Sequence, residues 1–81
     1  MNVELSPKAA KYLKGMSQPD KGRIVNALEK LPHGNVVALQ GVHGLYRLRV
    51  GDWRVVFSYP AQDITLVEQI GPRGVIYKGG I

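Results

Sequence analysis

The segment Leu45–Phe57 reads LYRLRVGDWRVVF, and its alternation of polar and apolar residues is the strongest structural signal in the chain. Apolar and aromatic residues recur at every second position, which is the spacing of a β-strand with one buried face. Gly51 and Asp52 interrupt the pattern, and a two-residue loop that begins with glycine is typical of a β-hairpin. The segment therefore predicts two antiparallel strands, Leu45–Val50 and Trp53–Tyr59, joined by a tight turn.

The two faces of this predicted hairpin carry different side chains. One face is apolar and aromatic, and its members are Tyr46, Leu48, Val50, Trp53, Val55, Phe57 and Tyr59. The other face carries Arg47, Arg49 and Arg54. The tight turn predicts that Arg49 lies opposite Arg54, with Cβ atoms about 5 Å apart. This arrangement is open to two interpretations: a solvated face on which Glu68 or an acidic partner supplies a carboxylate, or a site that binds phosphate through guanidinium groups.

The residues before this hairpin predict one strand and two helices. Asn2–Leu5 alternates and predicts a short first strand. Ser6 and the proline after it predict the start of a helix that ends near Gly15. Ser17–Asp20 resembles a capping box and predicts the start of a second helix, which Pro32 ends. Because almost no residues separate the helices, we expect an antiparallel helical hairpin.

The last predicted strand is Ile64–Ile70, after a turn over Pro60–Asp63. The predicted fold class is α+β, with the order β-α-α-β-β-β and a helical hairpin packed on a mostly antiparallel four-stranded sheet. The period-2 and helical patterns also predict a core, which consists of Leu5, Leu13, Ile24, Leu28, Leu48, Val55, Phe57 and Leu66.

Length and composition exclude several classes of protein. The 81 residues predict a single domain over residues 1–81. The chain has no cysteine, which excludes disulfides, thiolate metal sites and a cysteine nucleophile. Apolar residues make up 44% and charged residues 21%, which is a globular composition. No apolar run approaches the roughly 20 residues that span a bilayer, so we expect a soluble, cytoplasmic protein that does not bind membranes.

The charge balance favours a polyanionic partner. Eleven lysines and arginines oppose six acidic residues, which gives a net charge of +5 and an isoelectric point near 9.8. Most lysines precede position 45, whereas most arginines follow it, at Arg47, Arg49, Arg54 and Arg73. Clustered arginine on strands indicates planar recognition of phosphate, although a charge of this size also serves solubility alone.

Residues of other familiar chemistries do not form sites in this sequence. His33 and His43 stand in predicted loops with no second ligand at useful spacing, so no metal or cofactor is expected. The serines lack a plausible triad, and no carboxylates stand in close pairs. Any enzymatic chemistry therefore falls to arginine, tyrosine and lysine.

Three parts of the sequence resemble the RelE/ParE toxin superfamily of bacterial and archaeal toxin–antitoxin modules. They are Leu39–Gly41, Leu45–Phe57, and Ile70–Arg73 together with Tyr77. The chain looks closest to the RelE branch, whose members are ribosome-dependent mRNA endonucleases. The resemblance implies a RelE-like, microbial ribonuclease-type fold and the toxin of a type II module.

The resemblance also implies roles for individual residues. The catalytic set would be Arg49, Arg54, Arg73 and Tyr77, and Arg47 and Lys78 would bind RNA. Arg54 and Arg73 would stabilise charge on the phosphate, Arg49 would orient the attacking hydroxyl, and Tyr77 would stack on a base. The chain departs from the family pattern at Pro72, where many relatives have histidine, and it has no counterpart of the Glu–His pair that serves some relatives as acid and base.

Cleavage of this kind needs no metal, because the substrate's own 2′-OH is the nucleophile. The partners that the resemblance implies are a cognate acidic antitoxin, mRNA and the ribosomal RNA, with operator DNA reached only indirectly through the antitoxin. Two other classes remain open: a ParE-like toxin that inhibits gyrase, and a catalytically inert module that binds RNA or antitoxin. The arginine and tyrosine set favours the endoribonuclease over both.

Overall fold

The computed structural model of the protein describes residues 2–39, 41 and 43–73. Two helices and five strands follow one another within these residues. They are β1 (Asn2–Leu5), α1 (Pro7–Lys14), α2 (Gln18–Glu29), β2 (Asn35–Ala38), β3 (Tyr46–Val50), β4 (Trp53–Ala61) and β5 (Ile64–Pro72).

The strands form one mixed sheet in the order β1-β5-β4-β3-β2. β1 is parallel to β5, and every other neighbouring pair is antiparallel. The predicted α+β class and the two consecutive helices are confirmed, but the prediction of four strands and the order β-α-α-β-β-β is wrong, because β2 adds a fifth strand. β2 has only four residues at the sheet edge, three of them exposed, so its sequence carries no clear alternation.

The β3–β4 hairpin has the predicted turn and register. Val50 pairs with Trp53, and Arg49 pairs with Arg54. Gly51 has a φ of +59°, whereas Asp52 does not have a positive φ, which is the pattern of a type II′ turn. This register fixes which strand side chains face the helices and which face away.

The β4–β5 hairpin is longer than predicted. β4 continues through Pro60 to Ala61, so the connecting turn is only Gln62 and Asp63 rather than Pro60–Asp63. Its pairing shifts register twice, once between Val56 and Phe57 and again between Ser58 and Ala61. The second irregularity accommodates Pro60, which has no N–H to donate to a ladder.

Helix α1 is anchored to the sheet through its N-cap. The Ser6 hydroxyl accepts a hydrogen bond from the Ala9 N–H at 3.1 Å and donates one to the Glu68 carbonyl of β5 at 2.8 Å. Helix α2 begins at the predicted place without this bond. Its N-cap residue Ser17 donates to the Asp20 carboxylate at 3.1 Å and caps no backbone N–H, so the predicted capping box does not form.

The core lies between the two helices and one face of the sheet. Five of the eight predicted core residues are buried, namely Ile24, Leu28, Leu48, Val55 and Phe57. Leu5 and Leu13 are half-buried and pack against them. The prediction that Leu66 belongs to the core is wrong: Leu66 pairs with Ser58, while its neighbour Val67 pairs with Phe57 and is fully buried. A strand's faces follow its register, and the shifts in β5 lie beyond what alternation in the sequence can show.

We predict that Leu48→Ala lowers the free energy of unfolding by about 2–5 kcal/mol, since Leu48 is only 1% exposed and the change leaves a cavity. Urea denaturation followed by circular dichroism measures the difference. Leu66→Ala removes the same atoms from a half-buried position on the other face, so its cost should be less than half as large. Equal losses in the two variants would show that the faces are assigned wrongly.

Candidate functional site

A row of residues crosses the outer face of the sheet, the face away from the helices, beside the β3–β4 turn. The row runs Asn35, Arg49, Arg54, Gly71 across β2, β3, β4 and β5. The predicted juxtaposition of Arg49 and Arg54 on one face is therefore present. Gly71 has no side chain beyond hydrogen, so the position opposite Arg54 is open to its long side chain.

Arg54 is held in the turn rather than displayed on the surface. The residue is 5% exposed, and its Nη1 donates hydrogen bonds to the Gly51 carbonyl at 2.8 Å and to the Trp53 carbonyl at 2.9 Å. Among the residues that the structure describes, no carboxylate forms an ion pair with it. Its charge is thus solvated by backbone carbonyls and is not neutralised.

Arg49 and Arg73 are the exposed arginines at this end of the sheet. Arg73 follows β5 directly, and its backbone N–H donates to the Asp52 carbonyl at 2.8 Å. This hydrogen bond fixes Arg73 beside the turn, two residues beyond Gly71, the partner of Arg54. The structure therefore brings Arg49, Arg54 and Arg73 to one end of the sheet.

Arg47 occupies the next row of the outer face, between Val37 of β2 and Val56 of β4. Its side chain is half-buried, and its Nε is buried without a hydrogen-bond partner among the described residues. A buried donor left unpaired costs about 1–3 kcal/mol of desolvation. An acceptor that reached this Nε would recover that free energy.

The carboxylate expected between the arginines lies elsewhere. Glu68 is on the outer face, but its Oε2 accepts a hydrogen bond from the Ser58 hydroxyl at 2.9 Å. The row of Arg47, Val56 and Gln69 separates it from Arg49 and Arg54. The interpretation in which Glu68 neutralises the arginine pair is therefore wrong.

Two members of the predicted set, Tyr77 and Lys78, lie outside the described residues. Another residue, Arg23 of α2, was not predicted but reaches the same turn. A Cβ atom at Gly51 would collide with the Arg23 guanidinium, so Arg23 lies directly against that glycine. The sequence gives one signal: Arg23 stands four residues before Ala27, which packs against the core, so both lie on the same side of α2.

Two grooves flank the helices. The Trp53 groove has a volume of about 570 Å³, and its lining residues are Lys8, Lys11, Tyr12, Gly15, Met16 and Trp53. The rings of Tyr12 and Trp53 meet edge to face in it, with centroids 6.2 Å apart. The α2 groove, of about 300 Å³, lies between α2 and the β2–β3 edge, and its polar lining residues are Arg23, Asn26, Lys30, His33, Asn35 and Arg49.

An aromatic cluster lies on the helix side of the sheet, where Tyr46, Phe57 and Tyr59 meet with ring centroids 5.3–5.6 Å apart. Burial raises the pKa of Tyr59 above its usual value of 10.0, and the neighbouring Tyr46 raises it further. Tyr59 therefore remains a neutral phenol at physiological pH.

Within the described residues, no group of three or more His, Asp or Glu side chains could hold a metal ion. His33 and His43 are both exposed and belong to separate loops. The two helices α1 and α2 are too short and too polar to cross a bilayer.

The fold is that of RelE toxins. The chain superimposes on a structure from a RelB–RelE antitoxin–toxin complex of Methanococcus jannaschii with a TM-score of 0.77 and 22% identity, covering 94% of this chain and 96% of that one. A structure from the RelE–RelB complex of Pyrococcus horikoshii gives 0.69 and 25% identity, covering 91% and 96%. The solution structure of a conserved hypothetical protein from Helicobacter pylori gives 0.63 and 16%, covering 89% and 93%.

No protein-family model and no curated protein sequence matches the chain. The three solved structures therefore confirm the predicted resemblance at the level of the fold.

The burial of Arg54 predicts a structural effect that Arg49 does not share. Arg54→Gln removes a buried guanidinium bonded to two carbonyls, and we expect the free energy of unfolding to fall by about 1.5–3 kcal/mol. Arg49→Gln changes an exposed side chain and should stay within about 0.5 kcal/mol of the wild type. Urea denaturation of both variants checks this difference, and similar stabilities would refute the structural assignment of Arg54.

Proposed function

We propose that the protein is the toxin of a type II toxin–antitoxin module and acts as a metal-independent endoribonuclease on mRNA bound to the ribosome. The observation that carries this proposal is the convergence of Arg49, Arg54 and Arg73 at one end of the sheet, without a neutralising carboxylate among the described residues. The RelE fold adds support, since the arrangement lies on the strands that the resemblance marked.

The proposed reaction is an in-line transesterification. The 2′-OH of the substrate loses its proton, its oxygen forms a bond to phosphorus, and the bond from phosphorus to the 5′-oxygen breaks. The leaving 5′-oxygen takes up a proton, and the products are a 2′,3′-cyclic phosphate and a 5′-OH. Negative charge grows on the non-bridging oxygens in the transition state, which is where fixed cationic donors lower the barrier most.

The geometry suggests a division of labour among the arginines. Arg73 is exposed and tethered through its own backbone, so its guanidinium is free to contact a non-bridging oxygen. Arg54 is buried and would contribute positive potential to the site, while its hydrogen bond to the Gly51 carbonyl stabilises the turn. Arg49, exposed beside it, would orient the 2′-OH, because a guanidinium group keeps its protons in proteins and is a poor base.

Arg47 would contact a backbone phosphate, since its buried Nε lacks an acceptor among the described residues. Tyr77 would stack on a base near the cleaved bond, a contact worth about 1–3 kcal/mol. Lys78, next to it, would add a further phosphate contact.

The proposed macromolecular partners are polyanions. A cognate acidic antitoxin would neutralise the toxin by covering the arginine face or by displacing the tail that carries Tyr77. The net charge of +5 suits such a partner, and two of the similar structures come from complexes with RelB. Operator DNA would be reached only through the antitoxin, and translation places the site of action in the cytoplasm.

We expect Arg73→Ala to reduce cleavage by about 10²–10³-fold, since one charged donor to the transition state is worth about 3–4 kcal/mol. Its side chain is exposed and forms no described hydrogen bond, so the fold should remain intact. The measurement is in vitro translation of a reporter mRNA with added protein, followed by mapping of 5′ ends. Lys14→Ala, an exposed cation on α1, is the control and should cleave like the wild type.

The same assay separates the alternatives. Intact mRNA together with inhibited gyrase would assign the protein to the ParE branch instead. Intact mRNA, active gyrase and normal growth on expression without an antitoxin would leave only the inert binding module.

Substitutions at Tyr77 would distinguish stacking from proton transfer. If stacking is its role, Tyr77→Phe should retain most of the cleavage rate, whereas Tyr77→Ala should lose about 10–100-fold, which corresponds to the contribution of one stacked base. Single-turnover cleavage on programmed ribosomes measures both rates. Equal losses in the two variants would instead assign a chemical role to the hydroxyl.

A further inference from the structure

The α2 groove is cationic and has no obvious function in folding. Arg23 of α2 and Lys30, the C-cap residue of that helix, line the groove, and Arg49 borders it from β3. No carboxylate lines it among the described residues, although Arg23 forms a solvent-accessible ion pair with Asp20, Nη1 to Oδ1, at 3.8 Å. Exposed ion pairs of this kind contribute little, so the Arg23 charge remains available to another anion.

The other lining residues indicate which part of an anion the groove could bind. Asn26 and Asn35 add amide donors and acceptors, and the imidazole of His33 is the one aromatic ring on the groove lining within the described chain. A single exposed imidazole offers little stacking surface for successive bases, whereas guanidinium, ammonium and amide groups bind phosphates and sugars. The chemistry therefore suits a sugar–phosphate backbone.

An amphipathic protein helix is a poorer fit. The apolar floor of the α2 groove includes Leu48 and Val50, which are only 1% and 8% exposed and leave little surface for an apolar anchor. The Trp53 groove differs, since Tyr12 is 37% exposed beside Trp53. Protein partners prefer such aromatic anchors, so the two grooves differ in the ligand that they suit.

The α2 groove is continuous, through Arg49, with the arginine row, which consists of Arg49, Arg54 and Arg73 at the turn end of the sheet. Arg49 pairs with Asn35 at the start of the short edge strand β2, so the row reaches the sheet edge there. Both residues also line the groove. A chain of phosphates could therefore pass from the groove, around the edge at Arg49, to Arg54 and Arg73.

We propose that the α2 groove binds the sugar–phosphate backbone of single-stranded RNA, on the segment next to the bond that the arginine row cleaves. The binding itself is independent of cleavage, whereas the position next to the cleaved bond rests on the proposed function.

The test uses a fluorescein-labelled single-stranded RNA with 2′-O-methyl sugars, which binds but cannot be cleaved because no 2′-OH is present. Fluorescence anisotropy measures the dissociation constant of the complex between the full chain and this RNA at NaCl concentrations from about 50 to about 300 mM. The groove variant is Arg23→Gln with Lys30→Gln. The control, Lys8→Gln with Lys14→Gln, removes the same charge from exposed positions on α1 outside the groove.

We expect the groove variant to bind the RNA at least about 10-fold more weakly than the control variant. The slope of log association constant against log salt concentration should be about 1.4 smaller in magnitude than that of the wild type, since each of the two lost phosphate contacts contributes about 0.7 for a single strand. Because Arg23 lies against Gly51, Lys30→Gln alone serves as a second variant and should lower the slope by about 0.7. Unchanged thermal unfolding of Lys30→Gln separates lost binding from lost folding.

Equal affinities and slopes in the groove and control variants would overturn the inference. So would a groove variant that binds RNA normally but loses an acidic antitoxin peptide, since the groove would then be a protein site. The translation assay tests cleavage separately from binding. If the wild type cleaves no mRNA but binds RNA, and the groove variant loses that binding, the result would support RNA binding by the groove and refute the proposed endoribonuclease activity.

Discussion

The turn at Gly51 is the constraint on which the rest of the sheet and the candidate site depend. Its positive φ is easily adopted only by glycine, and a side chain there would also collide with Arg23. The Gly51 carbonyl accepts from Arg54, and the carbonyl of Asp52 accepts from the backbone of Arg73. This two-residue loop thus sets the register of the hairpin and fixes the end of β5. It is also contacted by Arg23, Arg54 and Arg73.

The burial of Arg54 explains how this turn keeps its positive charge. A buried guanidinium needs acceptors, and the usual solution is a carboxylate that cancels its charge. Here two main-chain carbonyls accept from Nη1, and no carboxylate of the described residues pairs with the guanidinium to cancel its charge. The cost is repulsion from Arg49 directly opposite. An anion that binds between Arg49 and Arg54 would relieve this repulsion, so the pair favours anion binding.

The sequence was sufficient for features that depend on local periodicity and turn chemistry. Gly51 and Asp52 determine the register, which is enough to predict Arg49 and Arg54 on one face, and α1 starts at Pro7 as the Ser-Pro signal indicates. Features that depend on tertiary contacts were missed: β2 is too short to show alternation, and Leu66 lies beside a register shift. The burial of Arg54 and the approach of Arg23 likewise follow from packing around the turn, which no spacing rule encodes.

The distribution of acidic residues has a consequence for regulation under the proposed function. In the described part of the chain, the one recorded salt bridge joins Asp20 to Arg23, and the outer-face carboxylate Glu68 is engaged by Ser58. The sheet-face arginines are thus left to external anions, with long-range attraction that steers polyanions towards them. An acidic antitoxin that covers Arg49 and Arg73 would occupy the positions that RNA phosphates require. Binding of the two partners would then be mutually exclusive by charge and space alone, so neutralisation needs no conformational change in the sheet.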